Sequence, residues 1–188
     1  MQAFFISAGV VALAEIGDKT QLLALVLAAR YRKPLPIILG IVVATLANHA
    51  LAGAVGVWLA AAIGPTAMRW VLGLSFIAMA VWTLIPDKLD DETNPPPPRL
   101  GIFGTTLIAF FLLEMGDKTQ IATVALAAKY SSLIAVVAGT TVGMLLANVP
   151  AVLLGGAVAR KLPLRVVHGI AAAIFLALGV LVLLGVGV

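Results

Sequence analysis

Residues 15–21 read Glu15-Ile16-Gly17-Asp18-Lys19-Thr20-Gln21, and 99 residues later the chain repeats them as Glu114-Met115-Gly116-Asp117-Lys118-Thr119-Gln120. Each copy sets two carboxylates and one ammonium inside an apolar run long enough to cross a bilayer. A charge at the centre of a membrane helix costs about 2.5–3.5 kcal/mol on insertion scales. A chain that accepts this cost twice, in register, marks a functional site by default. Composition fixes the setting: charged residues make up only 11% of the chain, against about 25% in a soluble domain, which excludes a soluble globular protein. The net charge of +4 resides on Lys and Arg in short loops between apolar segments. That is a topology pattern and not a nucleic-acid surface. With no cysteine, disulfides, thiolate metal sites and redox motifs are excluded.

Working outward from the motifs, six apolar segments emerge: about 2–29, 34–63, 66–85, 101–128, 133–159 and 163–186. Crossing a core of about 30 Å takes roughly 20 residues, so each segment is long enough. The apolar N-terminus has no basic region before it and reads as the first membrane helix, not a cleaved leader. The hydrophilic exception is residues 87–99, an acidic stretch ending in Pro95 to Pro98, which favours a stiff, extended linker. The expected organisation is an all-α polytopic membrane protein with a first three-helix repeat over 1–86, a linker over 87–99 and a second repeat over 100–188. Further pairs support the duplication: Ala28-Ala29-Arg30-Tyr31 with Ala127-Ala128-Lys129-Tyr130, Gly40 with Gly139, and Asn48 with Asn148 after one inserted residue. Three helices is an odd number, so the second repeat is inverted in the membrane, a common transporter plan with its site near the midplane. Glu15 lies 13 residues after Gln2 and Glu114 lies 13 after Gly101, so both motifs should reach a similar depth from opposite sides. Arg30, Arg32, Lys33, Lys88, Arg99, Arg160, Lys161 and Arg165 fall on one side, and Arg69 and Lys129 on the other. The first side is therefore expected to be cytoplasmic, with both termini outside.

On a regular helix Glu15 and Asp18 share a face, Lys19 lies beside Glu15, and Gln21 continues from Asp18. The same holds for Glu114, Asp117, Lys118 and Gln120. Glycine at the third motif position permits close helix approach or local unwinding. Together the motifs hold four carboxylates and two ammoniums, a formal charge of −2 when all ionise, the complement of one divalent cation. Carboxylate and amide oxygens suit Mg²⁺, Ca²⁺ and Mn²⁺. Glu15, Asp18, Gln21, Glu114, Asp117 and Gln120 are the candidate metal ligands; Lys19, Thr20, Lys118, Thr119, Asn48 and Asn148 are candidate supports. The absence of Cys and His from the motif argues against zinc or copper. Met115 offers a soft sulfur where the first copy has Ile16, although methionine ordinarily packs. His49 is expected to be hydrogen-bonded packing and His168 an interfacial residue near a helix start. Gly139 and Gly143 spell a close-packing signal.

These residues carry a resemblance. Glu15 to Thr20 and Glu114 to Thr119 both fit E-x-G-D-(K/R)-(T/S), and on them the chain resembles the Gdt-type calcium/manganese transporters, which carry the signature once in each half. The resemblance covers essentially the whole chain. It implies export of Ca²⁺ or Mn²⁺ from the cytosol coupled to proton entry, with Glu15, Asp18, Glu114 and Asp117 as the cation-site positions. The short linker and the lack of a targeting extension resemble a bacterial member, which implies the bacterial inner membrane. The expected partners are a divalent cation, protons and membrane lipid, with no nucleic acid; a homo-oligomer is compatible. No resident cofactor is expected, the transported ion being the occupant of the site. Charge counting supports exchange: once a divalent cation leaves, clustered carboxylates in a low-dielectric site cannot all stay ionised, so about two protons enter. Two other readings compete. A cation channel with a carboxylate ring would carry current without proton exchange. An intramembrane aspartyl protease would pair two aspartates as acid and base; here Glu15 and Glu114 replace the first glycine of the G-x-G-D pattern, and neither Asp18 nor Asp117 follows a tyrosine.

Overall fold

The computed structural model describes residues 1–85, 100–130, 132–154 and 164–185; the linker over 87–99 lies outside the described residues. Among the described residues there are eight helices and no strands: α1 Gln2–Glu15, α2 Lys19–Tyr31, α3 Pro34–Ala62, α4 Pro65–Thr83, α5 Gly101–Glu114, α6 Lys118–Lys129, α7 Leu133–Leu154 and α8 Leu164–Leu183. Proline opens α3 and α4, where its fixed φ suits the first turn and its missing N–H costs nothing. Four helices, α3, α4, α7 and α8, are long and apolar enough to cross a membrane. Their outer faces carry large apolar side chains, with Trp58 66% and Ile134 84% exposed. Water would penalise such a surface, and lipid does not.

The first and fourth apolar segments differ from the single helices expected of them. Each is two helices, α1 with α2 and α5 with α6, interrupted within the motif. Apolar periodicity runs through both sides of the break and so conceals it.

Packing is reciprocal between the halves. α1 lies mainly on α7, and α5 lies mainly on α3, while α4 and α8 lie on each other. Small residues allow the close approach. A Cβ added to Gly143 would meet the Ala12 nitrogen at 2.9 Å, and one added to Gly40 would meet the Thr106 Cβ at 2.8 Å. The close-packing role expected of Gly139 and Gly143 is therefore seen in the α1–α7 contact. Two apolar clusters complete the interior. One joins Val10 and Ala14 to Phe76, Leu126 and Phe175; the other joins Leu23 and Leu27 to Ile37, Phe110 and Val152. Phe76 and Phe175 stack with ring centroids 6.4 Å apart.

Candidate functional site

Both copies of the motif break the helix in the same way. Ile16 and Met115 turn extended, and Gly17 and Gly116 follow at φ +85° and +78°. That left-handed region costs an ordinary L-residue about 1–2 kcal/mol, and glycine escapes the cost. Asp18 and Asp117 then stand as N-caps of α2 and α6. Glu15 and Asp18 therefore do not share a face of one continuous helix, as regular periodicity had them. Each glutamate ends one helix and each aspartate begins the next. The positive ends of the α2 and α6 dipoles meet the aspartates, which favours their negative charge.

The polar neighbours of the acids hold this geometry. Thr20 Oγ1 donates to Glu15 Oε2 at 2.6 Å, and Thr119 Oγ1 donates to Glu114 Oε2 at 2.8 Å. Gln21 Oε1 accepts from the Gly17 N–H at 2.9 Å, and Gln120 Oε1 accepts from the Gly116 N–H at 2.7 Å. The amide nitrogens reach across the halves: Gln21 Nε2 donates to the Ala147 carbonyl at 2.9 Å, and Gln120 Nε2 donates to Asn48 Oδ1. Asn48 Nδ2 donates in turn to the Phe111 carbonyl at 3.1 Å. The glutamine oxygens expected to face a cation are here engaged in bracing the breaks.

The lysines cross over. Lys19 Nζ lies 2.8 Å from Asp117 Oδ1, and Lys118 Nζ pairs with Asp18 Oδ1. Each ammonium thus meets the aspartate of the other copy, where helical spacing placed Lys19 beside Glu15. The break removes that local neighbour and the duplication supplies a distant one.

These ties leave a defined set of oxygens. Glu15, Glu114 and Asp117 each offer a carboxylate oxygen, all within 4.8 Å of one another. Glu15 Oε1, Glu114 Oε1 and Asp117 Oδ2 are buried without a hydrogen-bond partner. A buried acceptor left unsatisfied costs about 1–3 kcal/mol, more when charged, and each of the three residues of this cluster carries one. Asp18 lies outside this trio, against Lys118.

The profile of a family described as the divalent cation/proton antiporter GDT1 matches residues 3–91 and 102–187. The chain belongs to the GDT1 family. It is also 55% identical over 177 residues to a protein of Vibrio cholerae serotype O1 (classical Ogawa strain O395) that is named a proposed manganese exporter, covering 94% of this chain and 88% of the relative. No solved structure matches. GDT1 membership makes this a membrane cation/proton antiporter and not an enzyme, which removes the protease reading and disfavours the channel.

Within the candidate site of this GDT1-family chain the two copies are not equivalent. A Cβ on Gly17 would meet Leu164 Cδ2 at 2.9 Å and His168 Nε2 at 3.0 Å, whereas one on Gly116 would meet nothing within 4 Å among the described residues. Lys118 is 1% exposed and Lys19 25%, and Met115 stands 54% exposed. Among the described residues, Leu164 and His168 of α8 cover the first break, and the second has no such cover. His168, expected near a helix start, is buried within the protein: its Nε2 donates to the Ile16 carbonyl at 2.9 Å, a group the break frees from helical pairing. Met115 Sδ lies 3.7 Å from Gln120 Nε2, at the second break. His49 is fully buried, but neither ring nitrogen has a hydrogen-bond partner, so the hydrogen-bonded packing expected of it is absent. Asn148 Nδ2 donates to Glu15 Oε2 at 3.3 Å, which ties α7 directly to the site.

Proposed function

We propose that this GDT1-family antiporter exports Mn²⁺ from the cytosol in exchange for about two protons, with Ca²⁺ as the alternative cargo of the same oxygen site. The observation that carries this is the trio of buried, unpartnered oxygens on Glu15, Glu114 and Asp117, drawn from both motifs. The manganese assignment leans on the name of the Vibrio cholerae relative. Oxygen ligands of this type suit Mn²⁺ and Ca²⁺ alike. Asp18 with Lys118, and Lys19 with Asp117, complete a charge of −2 that one divalent cation neutralises. When the ion leaves, protons restore neutrality for the return step of alternating access.

The architecture proposed around this site is six spans in two inverted repeats, 1–86 and 100–188, joined by the 87–99 linker. The reciprocal lodging of α1 on α7 and of α5 on α3 supports it, as do the identical breaks. α1 with α2 and α5 with α6 then each serve as one interrupted span, the form transporter sites take at midplane. Lipid covers the apolar outer faces. Both termini lie outside the cytoplasm of a bacterial inner membrane.

Uptake into proteoliposomes tests the mechanism, with Mn²⁺ and Ca²⁺ supplied in turn, the membrane potential clamped and the pH gradient varied. Cation flux should follow the pH gradient. Flux that follows voltage and ignores the gradient overturns exchange and restores the channel. Asp117→Asn should abolish flux in a protein that still inserts; normal flux would remove Asp117 from the site.

A further inference from the structure

We infer that Asn148 supplies a neutral oxygen ligand to the cation held by Glu15, Glu114 and Asp117. This rests on the antiport site proposed above. Asn148 is fully buried, and its Oδ1 has no hydrogen-bond partner. Its nitrogen is fully engaged: Nδ2 donates to the Met144 carbonyl at 3.1 Å and to Glu15 Oε2 at 3.3 Å, and touches Met144 Sδ at 3.0 Å. The orientation of the amide follows from chemistry. A flipped amide would aim its oxygen at a carbonyl and a carboxylate, both acceptors. The nitrogen therefore faces Met144 and Glu15, and the oxygen is the atom left over.

The corresponding residue of the first half behaves differently. Asn48 Oδ1 accepts from Gln120 Nε2, and its nitrogen donates to the Phe111 carbonyl. Both ends of that amide are used within the protein, so Asn48 braces and Asn148 keeps an oxygen in reserve. An orphan amide oxygen one hydrogen bond from a glutamate with its own orphan oxygen forms a mixed carboxylate–amide set. That is the ligand chemistry of hard divalent cations. A neutral ligand also adds coordination without changing the charge of −2 that the motifs set, so it strengthens binding without upsetting the proton count.

The experiment is titration of the detergent-purified protein with Mn²⁺, reading the loss of the free-ion EPR signal. The unaltered protein should bind. Asn148→Leu should weaken binding about tenfold or more, the scale on which groups around a metal act. Asn148→Asp decides the role, because it keeps the shape and the oxygen but removes the donor. A ligand role predicts that N148D binds Mn²⁺ as well as the unaltered protein or more tightly. A role as donor to Glu15 and Met144 alone predicts that N148D loses binding as N148L does, and that result overturns the inference. Unchanged binding in N148L overturns it equally. If N148L does not fold, N148D against the unaltered protein still decides. Absence of Mn²⁺ binding in the unaltered protein overturns the three-carboxylate site itself, and with it this inference.

Discussion

Lys19 and Lys118 occupy matching positions in two copies of one motif, yet their removal should have unequal consequences. Lys118→Met takes the ammonium from an ion pair in which both partners are buried, at 1% and 0% exposure. Deleting one partner of a buried pair costs about 3–5 kcal/mol, because the remaining charge keeps its desolvation penalty. For a chain of this length about 1 kcal/mol moves the melting temperature by roughly 2–4 °C, so K118M should fall by about 6–20 °C. Lys19→Met removes an ammonium that is one quarter exposed. The Asp117 it leaves behind is 1% exposed, but the quarter-exposed ammonium is the less tightly held of the two, so the loss should be smaller, about 1–3 kcal/mol. Thermal unfolding in detergent micelles, followed by the monodisperse fraction on gel filtration, measures both. Adding Asp18→Asn to K118M should recover most of the loss, since it removes the stranded charge. Equal shifts for the two lysine variants, or no recovery in the double variant, would refute the crossed pairing and its asymmetry.

Gly17→Ala and Gly116→Ala should each cost about 1–2 kcal/mol through left-handed backbone. G17A should lose more, because its Cβ would also meet Leu164 and His168 at 2.9 and 3.0 Å; melting temperatures in micelles rank the two, and a worse G116A contradicts the covered first break. Thr20→Val and Thr119→Val remove the hydroxyls that fix Glu15 and Glu114, and each should raise the KM for Mn²⁺ in proteoliposomes about tenfold; an unchanged KM means the glutamates do not need that bracing. A reporter fused after Val188 should score external and one within 87–99 cytoplasmic, and the opposite pair of results reverses the membrane orientation.

Much of this was open to reading in the chain. Acids in apolar runs, repeated 99 residues apart, point to the candidate site, because charge at membrane depth is costly and by default functional. The break at Gly17 and Gly116 was only half visible. A glycine permits unwinding without requiring it, and the apolar pattern on either side continues as though the helix did. Reasoning from i, i+4 neighbours put Lys19 beside Glu15, since it knows only local partners. The pairing with Asp117 is a product of tertiary assembly. The inequality of the copies was hidden for a related reason: near-identical motifs cannot announce that, among the described residues, α8 covers the first break and has no counterpart over the second. Likewise Asn48 and Asn148 align in the sequence, and only their surroundings decide which amide oxygen is consumed.

The crossed ion pairs bear on how the protein is made. Asp18 has Lys118 as its buried partner, and a ribosome adding about 5–20 residues per second needs on the order of 5–20 s to travel from one to the other. For that interval Asp18 awaits its ammonium; at the mid-membrane depth proposed for the break, an unneutralised charge costs about 2.5–3.5 kcal/mol. The native pairing of the first motif is therefore completed only after α5 and the start of α6 have been made, so the N-terminal half depends on its own C-terminal half for the last of its ion pairs.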